Sequence, residues 1–294
     1  MFRGVGTALV TPFNTNGSVD ENGITRLVQW QIEEGINFLV PCGTTGENPA
    51  LTADEHRRVV ELTVRAANGR VPVLAGAGSN STPRAIELAE QAIDLGADGI
   101  LSITPYYNKP SPAGLRLHFG AQAEAAEKKK AGFPIILYNV PGRTGLNMTA
   151  ETTLRLAKEI PNIIGVKEAS ANLEQILSIL RDRPEGFLVL SGDDAWTLPL
   201  LAVGADGVIS VASNEVPRLM RQMVDDRDVA IQNRLLPLLT GNFLESNPAP
   251  AKAVMKMLGI LETDTLRPPL APLTEGTRGR LVEIIRECGL TPRG

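Results

Sequence analysis

Two cysteines and two histidines in 294 residues leave little material for thiol or imidazole chemistry. Cys42 and Cys288 stand near opposite ends, with no Cys-x-x-Cys and no Cys/His spacing, which argues against a disulfide framework and against a zinc site. Neither a metal nor a cofactor is expected, and a reducing, cytoplasmic compartment suits the thiol count. An excess of positive charge is also missing: 29 Lys+Arg against 33 Asp+Glu give a net charge of −4. A nucleic-acid binder needs a basic surface to release counterions, so no nucleic-acid partner is expected. The short run Lys128 to Lys130 reads as the solvated end of an Ala/Glu-rich helix. No apolar run approaches the ~18 residues of a membrane span, and Met1-Phe2-Arg3 leads into an apolar stretch without a signal-like h-region. Neither membrane insertion nor secretion is expected. What remains, 43% hydrophobic and 21% charged residues, is the composition of a soluble globular protein large enough to bury a full core.

Eight short apolar, β-rich runs recur: Val5 to Val10, Asn37 to Pro41, Val71 to Ala75, Gly99 to Ile103, Pro134 to Val140, Ile163 to Lys167, Phe187 to Ser191 and Gly207 to Val211. Most are apolar throughout, as parallel strands buried on both faces are. Between most of them lie stretches of helical period, among them Asn22 to Glu34, Asp54 to Asn68, Thr82 to Leu95 and Ala113 to Lys130. A weak internal repeat places Gly35, Gly96 and Gly204 where a helix ends in a left-handed cap and a buried strand begins. Their spacing fits two and then four βα units of roughly 27 to 30 residues, so these glycines open strands two, four and eight. The α/β pattern predicts a (β/α)8 TIM barrel over residues 1–225, ahead of a doubly wound sheet. A C-terminal helical extension is expected over 226–294, free to pack on its own barrel or on another subunit.

In such a barrel the active site forms where the strands run out. Strand six ends Val166-Lys167-Glu168. A lysine there either loses its charge by desolvation and becomes a nucleophilic amine, or pairs with Glu168, although strand neighbours face opposite ways. Strand five ends Tyr138-Asn139-Val140-Pro141-Gly142-Arg143, offering a phenol for proton transfer and a guanidinium for a carboxylate, or a core Tyr and a surface Arg. After strand two, Gly43-Thr44-Thr45-Gly46-Glu47 sets two hydroxyls between glycines, where backbone and side chain can meet an anion, or simply turn. Strand four runs into Thr104-Pro105-Tyr106-Tyr107, which packs or lends one phenol to the site. Asp193 and Asp194 after strand seven disfavour a phosphorylated substrate and are expected to cap the following helix. His56 and His118 fall inside helices and are expected near the surface.

Taken together and in this order, the Gly43–Glu47, Thr104–Asn108, Tyr138–Gly145, Gly165–Ala169 and Ser191–Asp194 segments resemble the dihydrodipicolinate synthase family, within the pyruvate-dependent Schiff-base lyases and aldolases. The resemblance runs nearly end to end. It implies that Lys167 forms an imine with pyruvate, and that the derived enamine attacks aspartate 4-semialdehyde to give 4-hydroxy-tetrahydrodipicolinate, a step toward diaminopimelate and lysine. Tyr138 would move protons through Thr44 and Tyr107; Thr45, Gly192 and Ile209 would line the pyruvate site; Arg143 would hold the second substrate. The family pattern also implies a homotetramer built as a dimer of dimers, Tyr107 reaching into a neighbour's site. Arg143 with the Thr44, Tyr107 pair favours the synthase over the sister activities, N-acetylneuraminate lyase and 2-keto-3-deoxy-sugar-acid aldolase. A barrel without catalysis, acting as a sensor or scaffold, is disfavoured by the completeness of the site. At the interface cleft where many members bind lysine, His56, Asn80 and Tyr106 match the sensitive pattern. Arg84 replaces a glutamate there, Ala53 a histidine, and Pro49 a smaller residue, so lysine insensitivity is expected.

Overall fold

Each apolar run forms a strand because both of its faces find apolar cover. The computed structural model describes residues 1–291. The strands are Gly4–Ala8 (β1), Phe38–Val40 (β2), Leu74–Gly76 (β3), Gly99–Ile103 (β4), Ile135–Asn139 (β5), Ile163–Glu168 (β6), Leu188–Ser191 (β7) and Gly207–Ser210 (β8). All pair in parallel in the order β2-β1-β8-β7-β6-β5-β4-β3, and a parallel bridge between Leu39 and Val73 joins the two end strands, closing the barrel. Around it run α1 (Glu21–Glu33), α2 (Ala53–Ala67), α3 (Thr82–Asp94), α4 (Pro112–Lys129), α5 (Pro141–Thr144), α6 (Ala150–Glu159), α7 (Leu173–Asp182), α8 (Thr197–Ala202) and α9 (Pro217–Asp226). Then follow α10 (Val229–Gly241), α11 (Ala249–Met257) and α12 (Glu275–Glu287), with α12 packed on both α10 and α11. No helix among the described residues is long and apolar enough to cross a membrane.

Alternation along each strand divides the core in two. Outward residues such as Val5, Leu39, Ile100, Leu137, Val166 and Val189 meet the helices. Inward residues, among them Phe2, Phe38, Leu74, Leu101, Ile136, Leu188, Leu190 and Ile209, fill the barrel. Phe2 and Phe38 meet edge to face, 5.5 Å between ring centroids, and close its N-terminal end. Toward the opposite end the inward set includes the phenol-bearing Tyr138.

Strand ends differ from the sequence reading for visible reasons. The run to Val10 stops pairing at Ala8 because Asn214 substitutes for a neighbouring strand: its Oδ1 accepts from Val10 N at 3.1 Å and its Nδ2 donates to Ala8 O at 2.8 Å. The short helix α5 is absent from the sequence reading, since four residues leave little periodicity to detect.

Candidate functional site

Tyr138 and Lys167 are register partners on adjacent strands, both pointing into the barrel near its C-terminal mouth. The reason is period two. Val166 faces the helices, so Lys167 faces in and Glu168 faces out again. The adjacent pairing of Lys167 with Glu168 does not form. Glu168 is held on the outer face by Asn139 Nδ2 at 3.1 Å, Gln175 Nε2 at 3.0 Å and its own Ser170 N–H at 2.8 Å. Lys167 is buried, forms no ion pair among the described residues, and sets its Nζ 4.4 Å from the centroid of the Tyr138 ring.

Burial without a counter-ion disfavours the ammonium and lowers the Lys167 pKa to about 8; the Asp194 carboxylate opposes this and the Arg143 cation adds to it. The same burial raises the Tyr138 phenol above its usual value, against the pull of Arg143 and of a hydrogen bond with Thr44. Two groups that titrate near each other in water are thus biased toward neutral amine and neutral phenol.

The strand-two loop is wound tightly. Gly46 N–H donates to Gly43 O and Glu47 N–H to Thr44 O, both at 3.1 Å, and the Thr11 hydroxyl donates to Gly46 O at 2.7 Å. Space for this loop exists because residue 76 is glycine: a Cβ there would lie 2.1 Å from Cys42 O. A cavity of about 250 Å³ opens beside it, lined by Gly43, Thr44, Asn48, Pro49, Gly76, Gly78, Leu101, Ile103, Tyr106, Tyr138, Arg143 and Thr144, with Cys42 at its base. Arg143 reaches that wall from α5, whose first residue, Pro141, starts a helical turn directly after β5. Gly192 sits against β6, its N–H donating to Glu168 O at 2.8 Å, where a Cβ would come within 2.6 Å of the Ala169 Cβ. Ile209 is buried in the barrel interior on β8.

Thr44, Tyr138 and Arg143 thus line one cavity, with Lys167 over the Tyr138 ring. Tyr107 does not join them within the chain: its side chain is 90% exposed, its backbone is left-handed at φ 71°, and it is Tyr106 that lines the cavity. Both histidine expectations are corrected. His56 and His118 are buried, because each ring has an internal partner: His56 Nε2 lies 2.9 Å from Gly76 O and His118 Nδ1 2.9 Å from the Thr82 hydroxyl. The capping expectation is corrected for both carboxylates: α8 begins behind Trp196 with no side-chain cap, and Asp193 Oδ1 accepts from Ala195 N at 2.9 Å in the turn ahead of the helix. Asp194 turns instead to the end of β8, where Oδ2 accepts from both Val211 and Ala212 N–H at 2.9 Å. Two residues without a sequence-based role also reach the site's loop. Asn247 Nδ2 donates to Thr45 Oγ1 at 3.0 Å, and Lys252 Nζ meets Glu47 Oε1 at 2.5 Å. Residues some 200 positions apart leave no spacing signal; only Glu47, inside its motif, could have drawn attention.

Known proteins share this sequence and this fold over nearly their whole length. A 4-hydroxy-tetrahydrodipicolinate synthase of Koribacter versatilis is 52% identical, with 98% of this chain and 96% of that protein aligned. One of Maridesulfovibrio salexigens is 49% identical over 98% and 99%. The solved structure of a chloride-inhibited dihydrodipicolinate synthase of Acinetobacter baumannii, complexed with pyruvate, superposes with a TM-score of 0.93 at 41% identity, covering 99% of this chain and 100% of that one. The model of the dihydrodipicolinate synthetase family matches residues 1–288. With its barrel, its inward lysine and near end-to-end similarity of sequence and structure, the chain belongs to the dihydrodipicolinate synthetase family.

Proposed function

We propose that this chain condenses pyruvate with aspartate 4-semialdehyde through an imine on Lys167, giving 4-hydroxy-tetrahydrodipicolinate. The observation that carries the reading is the buried, unpaired Lys167 beside Tyr138, its pKa lowered to about 8. A neutral amine can attack the pyruvate ketone; loss of water then leaves an imine whose nitrogen draws electrons from the methyl carbon. That carbon loses a proton and attacks the aldehyde of the second substrate. Tyr138, kept protonated by burial, is placed to give a proton to the departing hydroxyl and to recover it, with Thr44 hydrogen-bonded to it as the next carrier. Thr45, Gly192 and Ile209 form the pyruvate end of the site. Arg143, on the cavity wall, suits the carboxylate of a short aldehyde acid better than the hydroxyls of a sugar chain. The exposed Tyr107, turned away from its own cavity, supports a role in a second copy's site and hence a dimer-of-dimers assembly.

The test is covalent. Pyruvate with borohydride should fix an adduct on Lys167, seen by peptide mass spectrometry and absent in Lys167→Ala; an adduct elsewhere, or none, overturns the reading. Arg143→Ala should keep the adduct but lose about 10- to 100-fold in kcat/KM for aspartate semialdehyde, as a charge-assisted bond of ~1.5–3 kcal/mol disappears. Equal loss of pyruvate trapping would mean that Arg143 acts on the fold rather than on the second substrate.

A further inference from the structure

The segment that follows the barrel reaches back to the strand-two loop at points the reaction scheme leaves without a role. Asn247, between α10 and α11, is buried and donates through Nδ2 to the buried Thr45 hydroxyl at 3.0 Å. Two residues further along the loop, Glu47 is buried in a left-handed conformation at φ 54°. Its carboxylate is fixed by Lys252 Nζ on one oxygen at 2.5 Å and by Arg267 N–H on the other at 3.0 Å. Lys252 also donates to Thr265 O at 2.9 Å and stands 4.1 Å from the centroid of the Phe13 ring.

A hydroxyl has one proton to give and two lone pairs to offer. The Asn247 amide group fills a lone pair of Thr45 and cannot take its proton. Asn247 Oδ1, buried and without a hydrogen-bond partner, is not bound to that proton either. The Thr45 proton is therefore left for a ligand, and a ligand that wants donors is an anion. We propose that Asn247 is a positioning residue that fixes Thr45 as a hydrogen-bond donor to the substrate carboxylate, while the Lys252–Glu47 pair holds the loop that carries it. This inference rests on the reading of Thr45 as part of the pyruvate site.

A double-mutant cycle tests it, with steady-state kinetics, thermal unfolding and borohydride trapping for each variant. Asn247→Ala raises the pyruvate KM about tenfold, the scale of a hydrogen bond to a charged group, with kcat and the KM for the aldehyde within about twofold of wild type. Asn247→Asp, close in shape but an acceptor once ionised, raises it further, and the effect grows with pH as that carboxylate ionises. Because Asn247 acts through Thr45, the Asn247→Ala change adds less than about threefold to the pyruvate KM in a Thr45→Val background. Additive effects in the cycle overturn the proposal, as does a parallel change in kcat and both KM values with a lowered unfolding temperature. A wild-type adduct with an unaltered pyruvate KM in both Asn247 variants refutes the positioning role alone; failure of wild type to form an adduct removes the parent reading as well.

Discussion

The lowered pKa of Lys167 has a quantitative consequence for the first chemical step. The interval from an ordinary lysine near 10.5 to about 8 corresponds to ~3.4 kcal/mol against the buried ammonium. At about pH 7.5 it raises the neutral amine from ~0.1% to ~24% of the protein, a gain of roughly 240-fold. The rate of imine formation, followed by rapid quench with borohydride in a single turnover, should rise with pH and level off with a midpoint near 8. Two substitutions move that midpoint in opposite directions. Asp194→Asn removes the anion that favours the ammonium, so the midpoint falls below the wild-type value; the amide oxygen can still accept from Val211 and Ala212 N–H. Arg143→Gln removes a cation that disfavours the ammonium, so the midpoint rises. A wild-type midpoint near 10, or movement of both variants in the same direction, refutes the argument that burial and these two charges set the nucleophile.

The Lys252–Glu47 pair makes a stability prediction: Lys252→Met leaves a buried carboxylate without its cation and should cost ~3–5 kcal/mol in urea unfolding, whereas Lys252→Met with Glu47→Gln should recover most of the loss. A double variant as unstable as the single one would mean that the packing of the Lys252 stem, not charge, is at stake. Lysine at millimolar concentration should not inhibit. Arg84, paired with Glu87 at 3.0 Å yet partly exposed, is a cation at the position where the family resemblance implies a glutamate facing the ligand's ammonium. Two such charges about 4 Å apart repel by ~4 kcal/mol at an effective dielectric near 20, and even ~3 kcal/mol is more than a hundredfold in affinity. Sub-millimolar inhibition that Arg84→Glu does not strengthen would contradict this.

The barrel was legible because parallel strands covered on both faces must be apolar along their length, and the Gly35, Gly96 and Gly204 caps repeat at unit spacing. Strand limits were less so. Where β1 ends is decided by the side chain of Asn214, which takes up backbone groups that would otherwise pair. Lys167 and Tyr138 were legible as polar residues at the ends of apolar strands, and their shared orientation follows from register. Burial of His56 and His118 was not, since each depends on an acceptor or hydroxyl in another element. The same applies to Asp194, whose partners lie beyond the next strand.

The contacts from Asn247, Lys252 and Arg267 to Thr45 and Glu47 also bear on how the protein comes into being. They are among the longer loop closures in the described chain, made between the second strand's loop and residues that are synthesised after all eight strands. Closures of this separation carry a large entropic cost until the intervening chain is folded, so they form late. A nascent chain can have all eight strands outside the ribosome before the loop beside the lysine has received its last fastenings. Acquisition of pyruvate affinity during refolding therefore marks the end of assembly, and follows the appearance of the barrel rather than accompanying it.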